Sequence, residues 1–282
     1  MIKGLSRAGV GDVGSIENFI QQAAAQGFGA IDSGGSELIE WINTAGVESA
    51  QAFLAKHNVV IGSIGLSVEW RTTEEAFQAG LKQLVEDAAA AAKLGVTACC
   101  TYVLPSTDLK AAHFMVLATR RLKTCAQILS AYGIRLGLEF VGPHHLRTNW
   151  ANPFLWTMEE TLDWIAAIGE PNVGLLLDAY HWYTNEGNEE ELLRLQPSQI
   201  VHVHINDAKP VAVADVLDND RIYPGEGVID LGIFLSALKR IGYTGVVAQE
   251  ILSQEASTAS SAELIERSAA GYTKVYTAAG LA

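Results

Sequence analysis

The sequence predicts an α/β fold, a closed (β/α)8 barrel, and two observations carry that prediction. Short β-rich runs alternate with longer Ala/Leu-rich stretches, as expected where parallel strands are joined by crossover helices. The strand candidates number eight, and eight such units in 282 residues fit a barrel, whose usual size is about 250 residues. A doubly wound open sheet is the competing architecture.

IKGL at 2–5 is the first strand candidate, GAID at 29–32 the second and VVIGSIGL at 59–66 the third. Residues 74–94 have helical apolar periodicity, and in AAKLGVTACC a glycine, Gly95, closes that helix before a fourth strand at 97–102. A helix at 109–132 ends in the same way at Gly133 of SAYGIRLGLEF, which opens the fifth strand at 135–139. Glycine suits the left-handed residue that closes a helix. The helix 158–168 precedes VGLLLD at 173–178, the sixth strand, and IVHVHI at 200–205 is the seventh. The helix 231–241 ends at Gly242 of KRIGYTGVVAQE, the eighth strand takes 245–250, and a last helix runs over 262–278. The irregular stretches 142–156 and 208–227 follow the fifth and seventh strands, on the side where a barrel builds its active site.

No linker rich in Pro or Ser and no low-complexity segment marks a boundary, so one barrel domain over 1–282 is expected. Hydrophobic residues make up 49% and charged residues 18%, which excludes a disordered chain. No apolar run approaches the roughly 18 residues of a membrane span. The opening MIKGLSRAGVGD carries no hydrophobic signal core, and the expectation is a soluble, cytoplasmic protein with no membrane partner. A formal net charge of −13 without a Lys/Arg cluster repels a phosphate backbone and argues against nucleic acid. The cysteines, Cys99, Cys100 and Cys125, are odd in number and lack CxxC spacing, which indicates buried thiols, not a disulfide framework or a thiolate zinc site.

Side chains at the C-terminal ends of barrel strands converge on one mouth. The fifth strand ends in Glu139, the sixth in Asp178, the seventh carries His204 near its end, and the eighth ends in Glu250. Taken singly, each acid could be the N-cap of a following helix. Three carboxylates brought to one mouth repel unless something positive lies among them, and one divalent cation meets that need. Three oxygen donors and one nitrogen favour Mn²⁺ or Mg²⁺, with Mn²⁺ the first expectation, and the imidazole leaves Zn²⁺, Co²⁺ and Fe²⁺ open.

In VHVHIND, strand alternation sets His202 and His204 on one face. His204 is the candidate ligand and His202 its neutral, hydrogen-bonded neighbour; the alternative is two satisfied core histidines. His181, three residues after Asp178, is placed to reach a substrate. In NDRIYPGEG, Arg221 could clamp a substrate oxygen and Glu226 could orient Arg221 or bind a hydroxyl; the alternative is a solvated loop with a surface ion pair. Trp70, Trp150, Phe154 and Trp156 are candidates for apolar walls against a sugar ring, or for ordinary packing. Asp32, Glu69 and Tyr102 are weaker candidates for hydroxyl recognition.

The stretches LGLEFVG, LLLDAYHWY, HVHIND, DNDRIYPGEGVIDL and GYTGVVAQEI, in that order and spacing, resemble the xylose-isomerase-like TIM-barrel superfamily of sugar isomerases and epimerases. Within it they are similar to the 2-keto-myo-inositol (inosose) isomerases. The resemblance implies one divalent metal ion held by Glu139, Asp178, His204 and Glu250, with His181 and Arg221 touching substrate oxygens. It also implies a small polyol or ketose substrate and, by analogy, a homodimer. The chemistry expected of such a site is proton transfer through a metal-stabilised enediolate, with Glu139 and Glu250 as the proton-transferring carboxylates. A dehydratase of the same substrate class and a non-catalytic sugar-binding barrel are the rival functions.

Overall fold

The computed structural model describes residues 1–255 and 257–281. The barrel strands are β1 (Ile2–Leu5), β2 (Ala30–Ser33), β3 (Val60–Gly65), β4 (Ala98–Val103), β5 (Arg135–Phe140), β6 (Val173–Asp178), β7 (Ile200–Ile205) and β8 (Val246–Gln249). They close in the order β1-β8-β7-β6-β5-β4-β3-β2, and the neighbours pair in parallel. The predicted strands all form, with ends displaced by no more than a residue.

Around them run α1 (Ile16–Ala25), α2 (Gly35–Ala45), α3 (Val47–His57), α4 (Glu74–Lys93), α5 (Ala111–Ser130), α6 (Met158–Ile168), α7 (Ala179–Thr184), α8 (Glu189–Leu193), α9 (Leu231–Ile241) and α10 (Ser261–Ala278). Their starts are set by side chains that accept orphan N–H groups: Ser15 for α1, Thr73 for α4, and the reciprocal Thr157–Glu160 and Ser260–Glu263 boxes for α6 and α10. The three glycine joints behave as expected, with φ of +76° at Gly95, +71° at Gly133 and +86° at Gly242.

The hydrophobic core fills the layer between sheet and helices, where Phe19, Leu84, Leu122, Phe234 and Ile265 are fully buried. Each such side chain contributes about 1.5–3 kcal/mol of burial. Trp70 belongs to this layer: it is fully buried, stacks on Phe114 at 6.0 Å, lies 6.1 Å from Trp164, and donates its indole N–H to Thr101 Oγ1 at 3.0 Å. Phe154 packs on the same two rings. The sequence reading of Trp70 as a substrate wall is therefore corrected, because its ring faces the helices and its one polar atom is satisfied. A two-residue antiparallel ribbon, Ser106–Thr107 with Asn152–Pro153, ties the loops after β4 and β5 together at the mouth. No helix among the described residues is long and apolar enough to cross a membrane.

Candidate metal centre and active site

The barrel register delivers the four predicted ligands to one point. His204 on β7 lies beside Asp178 on β6, with Glu139 near the end of β5 and Glu250 one residue past β8. One donor atom from each of Glu139, Asp178, His204 and Glu250 lies within 4.8 Å of the others.

Asp178 serves two purposes. Its Oδ1 accepts the Tyr180 N–H at 2.7 Å and so caps α7, which is the bland reading of an acid at a strand end. Its Oδ2 accepts from Arg221 Nη1 at 2.9 Å. The same Nη1 reaches Glu250 Oε2 at 2.9 Å, while Nη2 donates to Asp218 Oδ1 at 2.8 Å. Arg221 is thus a buried part of the carboxylate cluster.

The loop that carries Arg221 is held by Asp207, whose two oxygens accept the N–H groups of Ala208, Gly225, Gly227 and Ile229, each at 2.9 Å. Backbone pairing of Asp207 with Ile222 completes the anchor. Asn206 donates to both oxygens of Asp178 and to the Glu250 carbonyl, locking the ends of β6 and β8 together. Sequence reasoning gave no role to Asn206, Asp207 or Asp218. The first two stand two and three residues after His204 in VHVHIND and the third three residues before Arg221, so their nearness was the available clue.

His181 lies on α7. The Gly142 N–H donates to its Nδ1 at 3.3 Å, and its Nε2 is 3.4 Å from Arg221 Nη2 and 3.9 Å from Glu139 Oε1. It therefore faces the cluster, as expected. Glu226 does not: it forms a two-pronged pair with Arg267 of α10 at 2.6–2.7 Å, with about a third of its side chain exposed. The expectation that Glu226 orients Arg221 or binds substrate is corrected, since the turn at Gly225 and Gly227 points it outward and the surface ion pair is what forms.

His202 and His204 project into the lumen with ring centroids 5.2 Å apart, and both Nε2 atoms approach one oxygen of Asp32, at 2.9 and 3.2 Å. Asp32 stands next to the end of β2, with β1 and β8 between it and β7 in the closed barrel, a pairing that no sequence pattern encodes.

The electrostatics follow from burial and neighbours. Burial would push the His204 imidazole down, but the Glu250 carboxylate and the contacts with Asp32 and Glu139 hold it well above its ordinary value. Burial pushes the Glu139 carboxyl up. Burial acts on Glu250 in the same sense, yet His204 and Arg221 hold it down to about 2. At Asp178 the opposing burial is likewise overcome by Arg221, and its pKa is lowered. Two neighbouring glutamates are thereby driven apart in basicity.

The donor set suits a divalent ion. Glu139 Oε1 and His204 Nδ1 are buried without hydrogen-bond partners. Asp178, Asp218 and Glu250 converge on the single Arg221 guanidinium while Asp32 and Glu139 lie against His204, which leaves negative charge for a cation to neutralise. Beside the cluster lies a cavity of about 180 Å³, its far wall made by Ser6, Ser33, Ser63, Thr101 and Tyr102. A larger groove of about 360 Å³ between α6 and α8 gathers no comparable cluster of buried acids.

Comparison with known proteins gives consistent results. A family model described as xylose isomerase-like TIM barrel matches residues 20–269. An inosose isomerase of Bacillus velezensis is 36% identical over 134 residues, 48% of this chain and 45% of that protein, so the match spans about half the length of that relative. A xylose isomerase domain protein from Alicyclobacillus acidocaldarius superposes with a TM-score of 0.90 at 31% identity, covering 99% of both chains. The IOLI protein, solved with a binding zinc atom, shares the fold with a TM-score of 0.82 at 22% identity, covering 98% of both chains.

Proposed function

This chain belongs to the xylose isomerase-like TIM barrel family, and we propose that it is a divalent-metal-dependent isomerase or epimerase of a small polyhydroxy ketone or ketose of the inosose type. The observation that carries this reading is the convergence of Glu139, Asp178, His204 and Glu250 with two buried donor atoms left unpaired. The inosose isomerase similarity supports the substrate class, and the zinc in the IOLI structure supports a metal. Manganese is the first expectation, with zinc, cobalt, magnesium and iron as alternatives.

When bound, such an ion would polarise a carbonyl and acidify the adjacent C–H bond. Glu139, raised by burial, is the stronger base of the two glutamates and would accept the proton through its carboxylate. Glu250, held ionised by Arg221 and His204, faces the same space and serves as the second carboxylate of the transfer. His181 and Arg221 stabilise negative charge developing on substrate oxygens, and the hydroxyl-rich wall of the cavity suits an uncharged polyol. One domain over 1–282, a cytoplasmic location and a homodimer belong to the same proposal.

The test is NMR in D₂O of metal-loaded protein with inososes and free ketoses. Deuterium entering the carbon next to the carbonyl, with isomeric products, supports the proposal. Loss of water from the product identifies a dehydratase instead, and ligand binding without exchange identifies a non-catalytic barrel.

A further inference from the structure

We infer that Asp32 is a positioning residue of this metal centre: it holds His204 through Nε2 and so aims Nδ1 at the three carboxylates. The inference rests on the metal reading above and adds to it a residue outside the four-ligand set.

A carboxylate only accepts hydrogen bonds, so the imidazole nitrogen facing Asp32 must carry the proton. That nitrogen is Nε2 of His204, 3.2 Å from Asp32 Oδ2, and a neutral imidazole then keeps its lone pair on Nδ1. Nδ1 lies 3.6 Å from Glu250 Oε2 and 3.8 Å from Glu139 Oε1, too far for hydrogen bonds, and it is buried without a partner. These spacings suit atoms that share a cation between them. His202 Nε2, 2.9 Å from the same Asp32 oxygen, fixes the carboxylate from the deeper layer. Gly62 leaves room for it: a Cβ there would stand 2.7 Å from Asp32 Oδ1 and 3.3 Å from the His202 ring. A carboxylate behind a ligating histidine orients the ring and strengthens its donor nitrogen.

The test compares wild type with Asp32→Asn and Asp32→Ala, using Co²⁺ as the probe. Co²⁺ affinity is read by chelator competition, the coordination by the visible spectrum of the bound ion, and folding by thermal melting of metal-free protein. The expected result is a loss of affinity of about 10–100-fold, smaller for Asn than for Ala, with an altered Co²⁺ spectrum and a cooperative melt. Wild-type affinity and an unchanged spectrum in Asp32→Asn would overturn the inference while leaving the metal site intact. Wild-type protein that takes up no ion removes the metal reading and this inference together. A measurement on unaltered protein covers the case of variants that do not fold: in the Zn²⁺-loaded wild type, ¹⁵N-resolved imidazole spectra should show His204 protonated at Nε2. A proton on Nδ1 would contradict it.

Discussion

The two halves of the barrel bring different chemistry to one mouth. Strands β5 to β8 supply Glu139, Asp178, His204 and Glu250, three acids and an imidazole, locked by Arg221, Asn206 and Asp178's own cap. Strands β1 to β4 and the residues just beyond them supply Ser6, Ser33, Ser63, Thr101 and Tyr102, with Asp32 the one acid among the cavity-lining residues there. A barrel can separate these tasks because each strand end is an independent position on a common rim. In this account the second half activates a substrate and the first half recognises its hydroxyls, with Asp32 reaching across to brace the other side.

Breaking the charged half should have the largest effect. Glu139→Gln and Glu250→Gln are each expected to lower kcat by about 10²–10⁴-fold with melting still cooperative, measured by steady-state kinetics on the substrate found by deuterium exchange. Next comes Arg221→Met, which leaves Asp178 and Glu250 buried together without their cation. Metal-free protein should lose about 3–5 kcal/mol in urea unfolding, and part of that loss should return on adding metal, which takes over the neutralising role.

The pH dependence sharpens the same half. His204 is raised above its ordinary 6.5 in metal-free protein, so a proton occupies the ring that a metal needs. Metal affinity should climb as pH rises above about 6.5 and through the raised value, with proton release seen on loading. In metal-free protein the His204 contribution to stability has the opposite course: it is full below the unfolded value near 6.5 and is lost as pH rises through the folded one. Glu250 stabilises above its ordinary 4.5, and that contribution disappears as pH falls through about 2.

On the hydroxyl half, Ser63→Ala should raise KM by no more than about tenfold, the worth of one neutral hydrogen bond, with kcat nearly unchanged. Glu226→Gln should be the smallest change, within about 0.5 kcal/mol and without effect on turnover. A large kinetic effect there would restore the substrate-binding role that the Arg267 pairing removes.

The contrast also explains what could be read in the sequence. Strand count, glycine joints and the acids at strand ends were legible because period-2 alternation and left-handed helix closures leave local marks. The convergence of Glu139, Asp178, His204 and Glu250 was legible because barrel topology turns strand order into rim order. The partnerships of Arg221, Glu226 and Asp32 were not legible, since each joins positions separated by tens of residues or more: Arg221 with Asp178 and Glu250, Glu226 with Arg267, Asp32 with His202 and His204. Trp70 misled for a related reason, because an indole one turn beyond a strand end can face either the mouth or the helices, and only packing against Phe114 and Trp164 decides.

The central claim is that Glu139, Asp178, His204 and Glu250 hold one divalent ion. It is tested most directly by elemental analysis of protein purified without chelator, beside His204→Ala and Glu139→Gln. The account predicts about one equivalent of manganese, zinc, cobalt, magnesium or iron per wild-type chain and its loss from both variants. Wild-type protein that stays empty after incubation with each of these ions would contradict it.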